Sequence, residues 1–238
     1  MSKILTSLKE NRYMRRLKEI IVNAWIGIHL NKEQLFTKYY LKNSWGCNES
    51  RSGIGSSLEH TERLRSQLPI FFKDYGIKSI FDAPCGDFNW FRYVQRPGIN
   101  YIGADIVRPL IESNNKNYSD EITHFIQMDI TKDKFPATDV WICRDVLFHL
   151  SERDIYRTLR NFVDSDIPYI LTTTFPECIE NLDVPTGSFR LINLRISPFY
   201  FEPPICSLID SVETWQIRHL ALWDRETVKK ALMRNMAT

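Results

Sequence analysis

From Lys78 onward the chain alternates between short apolar runs and amphipathic stretches. KSIFDA, NYIGADI, HFIQMDI, DVWICR and PYILTTTF are brief and rich in β-branched and aromatic residues, which predicts buried strands. Between them FNWFRYV, RPLIESNNKNY and SERDIYRTLRNFV carry apolar residues at helical spacing. Strand and helix in regular alternation predict βαβ units, hence an α/β fold with a doubly wound, mostly parallel sheet flanked by helices.

Upstream, LEHTERLRSQLPIFFKDYG repeats Leu58, Leu64, Leu68 and Phe71 on one helical face, with Ser56 or Ser57 as N-cap and Gly76 as the stop. The stretch SWGCNESRSGIGSS before it is an ordered loop. Residues 1–44 are rich in Lys, Arg, Leu, Ile and Tyr, with Gly27 as their only Gly or Pro, and read as two helices. They form an N-terminal helical extension, a cap on the main domain of residues 45–238; a membrane-surface helix and a lid over a substrate site are the alternatives. Beyond Phe175 repeated prolines break the pattern, marking 176–212 as a substrate-side insertion before a late strand in WQIRHLALW and a closing helix in DRETVKKALMRN.

Composition narrows the function classes. A chain of 238 residues holds one well-cored domain with an added segment. Lys plus Arg number 31 against 29 Asp plus Glu, so no net field draws nucleic acid, and none is expected as a partner. Five widely spaced cysteines without a C-x-x-C pair point to reduced thiols in the cytoplasm, and no histidine approaches them at zinc-site spacing, so no metal is expected. The run IIVNAWIGIHL is too short to span a bilayer and has no cleavage site, which predicts a soluble protein without a transmembrane segment.

In an open α/β sheet ligands bind at the carboxyl ends of the strands, and here acids stand at those ends in succession. The first strand runs into Asp82-Ala83-Pro84-Cys85-Gly86-Asp87, the second ends at Asp105, the third at Asp129, and the fourth leads into Arg144-Asp145. Asp105 follows Asp82 by roughly the interval at which a carboxylate receives ribose hydroxyls. Asp129-Ile130 offers a polar acceptor and an apolar wall for adenine. Singly, each acid is equally a turn or cap residue; their joint order is the signal. No glycine-rich phosphate loop is present, and Asp82 with Asp87 would repel a pyrophosphate and suit a cation such as a sulfonium.

On these residues the stretch of about 52–175 resembles the class I (Rossmann-like) S-adenosylmethionine-dependent methyltransferases. The resemblance implies S-adenosylmethionine as cofactor, wrapped by Asp82, Ala83, Pro84, Cys85, Gly86 and Asp87. Asp105 with Ile106 would sit at its ribose, Asp129-Ile130 at its adenine, and Trp90 and Arg144 would be further contacts. Ser52, Gly53, Gly55 and Ser56 are similar to a segment that folds over the cofactor in one branch of the family; otherwise they are a loop and helix cap. The sequence departs from the family at Pro84 and Phe88, where glycine is usual, which stiffens the loop.

Methyl transfer needs alignment and, for a hydroxyl acceptor, a base. Asp145 and His149 are the catalytic candidates, His149 as base or packed under the next helix, Asp145 as base, cofactor contact or partner of Arg144. Thr173, Thr174, Arg190, Asn193, Arg195 and His219 are candidate acceptor-pocket groups. The expected activity is O-methylation of a polar small molecule or sugar-like acceptor. N-methylation and a non-catalytic nucleotide- or partner-binding module are the alternatives.

Overall fold

The computed structural model describes residues 30–211 and 217–234. The first helix expected in residues 1–44 lies outside that range. The second is α1 (Lys32–Lys42), opened by a capping box in which Asn31 and Gln34 exchange side-chain-to-backbone bonds and closed by Asn43 in a left-handed conformation.

Seven strands make one sheet in the order β3-β2-β1-β4-β5-β7-β6. They are β1 (Ser79–Asp82), β2 (Asn100–Asp105), β3 (Thr123–Gln127), β4 (Val140–Cys143), β5 (Tyr169–Thr174), β6 (Cys206–Ser211) and β7 (Arg218–Asp224). The first five are parallel, and β7 runs antiparallel to both β5 and β6. The chain moves from β1 outward to β3 and then crosses to β4 on the other side of β1, so the strand order reverses between β1 and β4, where this architecture places its ligand crevice.

The helices follow the apolar periodicity. α2 (Leu58–Asp74) starts at the Ser57 cap and buries Leu64, Leu68, Phe71 and Phe72; Gly76 just beyond takes a φ of +63°. α3 (Arg108–Tyr118), α4 (Glu152–Val163) and α5 (Arg225–Arg234) occupy the predicted stretches. One core packs Phe81, Trp141, Phe162 and Trp223 on one face of the sheet, and another packs Phe72, Ile80, Tyr101 and Leu222 on the other. Adjacent residues Ile80 and Phe81 serve opposite faces, as strand alternation requires.

Two expectations change. FNWFRYV forms only a 3-10 turn at Phe91–Tyr93. Phe88, Trp90 and Phe91 are all buried, and Phe88 is ringed by Phe91, Tyr101, Tyr118 and Phe125. A helix would send those side chains in diverging directions, so burial overrides periodicity. Within the expected insertion, Cys206–Ser211 forms the edge strand β6, whose alternation of half-buried and exposed positions is too weak to read beside the neighbouring prolines.

Candidate active site

A crevice of about 1100 Å3, including its open mouth, lies over the carboxyl ends of β1, β2, β3 and β4. Of the residues expected there, Ser52, Ser56, Asp82, Pro84, Cys85, Gly86, Trp90, Asp105, Ile106, Asp129, Ile130, Arg144, Asp145 and His149 line it. Gly53, Gly55, Ala83 and Asp87 stand behind the lining. Asp87 turns its carboxylate away from the crevice to accept bonds from the Ser50 hydroxyl at 2.9 Å and the Arg51 amide at 2.7 Å. Its amide in turn donates to the Ser52 hydroxyl at 3.0 Å. Asp87 therefore staples the 50–52 loop to the loop after β1, and the cationic preference of the site rests on other carboxylates. Gly55 allows a close approach: a Cβ there would lie 3.1 Å from Asp145 Oδ2.

Asp82 and Asp105 carry that preference. Asp82 is buried and accepts a 2.6 Å bond from the Tyr101 hydroxyl, and burial pushes its carboxyl up to about 7. Asp105 accepts from the amides of Val107 at 3.0 Å and Gly86 at 3.3 Å, and burial pushes it up to about 6. Neither has a Lys or Arg within ion-pair distance among the described residues. Two buried carboxyls with no ion-pair partner among the described residues suit a ligand that brings positive charge and hydroxyl donors. A pyrophosphate beside these two carboxylates would be repelled. Phe88 adopts the left-handed φ of +57° that glycine would supply, and its side chain is absorbed by the core. The departure from a glycine-rich loop is thus accommodated without filling the crevice.

At the far end Asp129 Oδ1 is held by the amide and hydroxyl of Thr131, at 3.0 and 2.7 Å. Its Oδ2 lies 3.8 Å from Lys32 Nζ, which also bonds the Thr131 hydroxyl and reaches Asp154 at 3.3 Å. Lys32, Phe36 and Tyr40 all line the crevice, so α1 roofs it. Their four-residue spacing puts them on one helix face, and that face lies where the lid alternative for residues 1–44 would put it. Trp45 and Arg51 complete the roof.

The fourth strand feeds a buried charge network. Arg144 bonds Asp210 through Nε and Nη2, both at 3.0 Å, reaches the Gly55 carbonyl at 2.7 Å, and stacks over Trp90 at 5.1 Å. Arg218 lies 3.0 Å from Asp210 and 3.1 Å from Asp145. Burial works against charge on Asp145, but Arg144 and Arg218 outweigh it and hold the carboxyl below its ordinary range, with Thr173 donating at 3.1 Å. Asp145 also sits at a φ of +56°, a strained conformation for a residue with a side chain. It is an ionised, anchored acceptor and a poor proton carrier. No sequence signal near β4 points to Asp210 or Arg218, which come from the two antiparallel strands.

Among the described residues His149 is oriented by one hydrogen bond, with Nδ1 2.8 Å from the Ser188 carbonyl. A carbonyl only accepts, so Nδ1 carries the proton and Nε2 of the neutral ring keeps its lone pair. Burial pushes the imidazole down to about 4. Trp45, Phe148 and Phe189 surround the ring at centroid distances of 4.7, 4.5 and 5.9 Å. The other acceptor-pocket candidates serve structure. Thr174 and Asn193 bond main-chain carbonyls, Arg195 is exposed, and His219 pairs in the sheet beside Thr174. Arg190 is buried, with Nη1 donating to the carbonyls of Leu147 and Leu150. Cys85 and Cys143 are buried, which pushes both thiols up and makes them unreactive.

A reversed-order parallel sheet whose switch point opens on buried carboxylates is the architecture shared by class I methyltransferases. Residues 81–164 match the family described as "Methyltransferase domain", and no curated protein sequence matches the chain. Among solved structures, magnesium protoporphyrin IX methyltransferase from Synechocystis PCC 6803 with bound S-adenosylmethionine superposes with a TM-score of 0.58 at 12% identity, over 81% of this chain and 97% of that one. Human N-acetylserotonin methyltransferase gives 0.54 at 14%, over 89% and 67%. Protein PH0226 from Pyrococcus horikoshii OT3 gives 0.52 at 13%, over 72% and 93%. The chain shares its fold with these structures, and its match to the methyltransferase-domain family covers residues 81–164. No helix among the described residues is long and apolar enough to cross a membrane, and they hold no cluster suited to a metal ion.

Proposed function

We propose that the chain methylates a hydroxyl oxygen of a small polar, ring-bearing molecule, with His149 as the base. The observation that carries this reading is the Nδ1 bond to the Ser188 carbonyl, which leaves the Nε2 lone pair free on a neutral imidazole that lines the crevice. Asp82 and Asp105 would receive the cationic and hydroxyl groups of the cofactor, and Asp129 with Ile130 its adenine. When bound, S-adenosylmethionine supplies the methyl group: its carbon–sulfur bond breaks as the carbon–oxygen bond forms, leaving a neutral thioether. The hydroxyl proton passes to Nε2 of His149, and the imidazolium returns it to solvent. The charged Asp145, facing the same space, stabilises that imidazolium.

The weak basicity of His149 selects the acceptor. A base held this low gains little driving force on an alkyl alcohol, so a phenol or enol is the better match, and the aromatic surround of Trp45 and Phe189 suits a flat ring. These features favour a phenolic or enolic acceptor over the sugar-like one. The human neighbour is by name an N-acetylserotonin methyltransferase, and the fold is shared with it.

The test is transfer of labelled methyl from S-adenosylmethionine to a panel of phenols, enols, sugars and primary amines. Phenols or enols should lead, and His149→Gln should lower turnover about 100-fold or more while leaving cofactor affinity within about twofold. Methylation of amines alone, or full turnover in His149→Gln, would overturn the reading.

A further inference from the structure

We propose that Trp45 selects and seats the methyl acceptor: its indole face takes up the acceptor's ring beside His149, and its N–H donates to a second oxygen carried on that ring. The preferred acceptor is then a phenol or enol that also bears a carbonyl or similar oxygen. This rests on the reading of the crevice as a site of hydroxyl methylation.

Trp45 stands at a junction. It lies in the turn just after α1, between the left-handed Asn43 and Gly46 at a φ of +68°. Gly53, at a φ of +96°, passes behind it, and a Cβ there would lie 3.1 Å from Trp45 Cβ, so glycine makes room for the indole. Tyr39 of α1 meets the indole edge to face at 5.2 Å, and the Tyr39 hydroxyl donates to the Gly187 carbonyl at 3.2 Å. The indole is tilted by 42° against the His149 imidazole at a centroid distance of 4.7 Å. Roof helix, cofactor-side loop and candidate base thus converge on one half-buried side chain that lines the crevice.

Two features go beyond what packing asks of this position. The first is the indole N–H. Trp141 and Trp223, buried in the core, donate to the carbonyls of Ala83 at 3.0 Å and Glu202 at 2.8 Å. The Trp45 N–H bonds no group among the described residues and is not sealed in the interior. A phenyl ring would pack on Tyr39 and His149 as well, so an indole adds a donor that a ligand can use. The second is Phe189, which is 49% exposed and meets the His149 ring at 5.9 Å. Trp45 and Phe189 are both incompletely covered and both pack on His149, and a flat acceptor would cover them on binding. The sheet order separates this corner from the cofactor. Asp82, Asp105 and Asp129 follow β1, β2 and β3, whereas His149 follows β4, at the opposite end of the row from β3. The indole therefore belongs to the acceptor end of the crevice.

The experiment is calorimetry on the full-length protein saturated with S-adenosylhomocysteine, titrated with the 2-, 3- and 4-hydroxyacetophenones and with the matching ethylphenols, which lack the carbonyl oxygen. At least one ketone should bind more tightly than its ethyl partner. Trp45→Phe, which keeps a ring and loses the N–H, should weaken that ketone about fivefold and its ethyl partner less than about twofold. Trp45→Leu should weaken both about 30-fold. Affinity for S-adenosylhomocysteine should stay within about twofold in both variants. A folded Trp45→Leu that binds the phenols like the unaltered protein overturns the inference. So does a Trp45→Phe that weakens ketone and ethyl partner equally, or an equal loss of cofactor affinity, which is what a merely structural role would give. Two results need no folded leucine variant: an unaltered protein that binds no member of the panel, and Trp45 emission, taken as the difference from Trp45→Phe, that stays constant as the ketone binds. Either overturns the inference. Binding is read without turnover, so failure of the base reading would appear separately, as full turnover in His149→Gln.

Discussion

The two unpaired carboxylates at the switch point make cofactor affinity depend on pH, and the size of the effect follows from the structure. In the free protein burial pushes the Asp82 carboxyl up to about 7 and that of Asp105 up to about 6. A bound sulfonium and ammonium return them toward the ordinary carboxylate range, so binding expels protons wherever the free protein still holds them. At pH 5 the cost of emptying Asp82 is about two pH units, ~2.7 kcal/mol or about 100-fold in affinity; Asp105 adds about tenfold. The pair repel one another and do not titrate independently, so the expected weakening from pH 8 to pH 5 is about 100- to 1000-fold. Calorimetry with S-adenosylmethionine at both pH values, in buffers of different ionisation enthalpy, measures affinity and proton release together. Asp82→Asn should remove most of the dependence. The same shift acts on folding with a definite sign. Asp82 holds its proton more tightly folded than unfolded, so it costs stability as pH rises from about 4 through about 7, by at most ~4 kcal/mol. Free Asp82→Asn should then melt higher than the unaltered protein at pH 8. A pH-independent affinity, or proton uptake on binding, would refute the charge reading of the crevice.

Two further predictions concern the scaffold of the site. Asp210 is buried against both Arg144 and Arg218, so Asp210→Ala leaves two guanidiniums sharing Asp145 and should cost about 3–5 kcal/mol in urea unfolding. A loss below about 1 kcal/mol would mean the network is dispensable. Gly187 has a φ of +94° and no room for a Cβ, which would fall 2.7 Å from Leu35 on α1. Gly187→Ala should cost about 1–3 kcal/mol and loosen the roof, read as faster hydrogen exchange in residues 32–42 with the sheet unaffected. Unchanged exchange there would show that α1 does not depend on this contact.

Sequence alone determined the parallel half of this protein. Strands β1 to β5 are short, apolar and interrupted by amphipathic helices, and that alternation is a local property, so their order and the acids at their ends could be read directly. Asp82, Asp105 and Asp129 were legible because strand ends in a doubly wound sheet share one rim. Tertiary structure decided the rest, because it depends on contacts between residues far apart in the chain. Asp87 carries the same charge as Asp82, and only the approach of the Ser50–Ser52 loop turns it out of the crevice. Arg190 looks in sequence like a pocket residue and is instead folded under the turn of His149. Asp210 and Arg218 lie on antiparallel strands with no motif of their own, yet they settle the charge of Asp145. A side chain's identity fixes the chemistry it can perform; its protonation and its direction are set by the desolvation and partners that only the closed fold supplies.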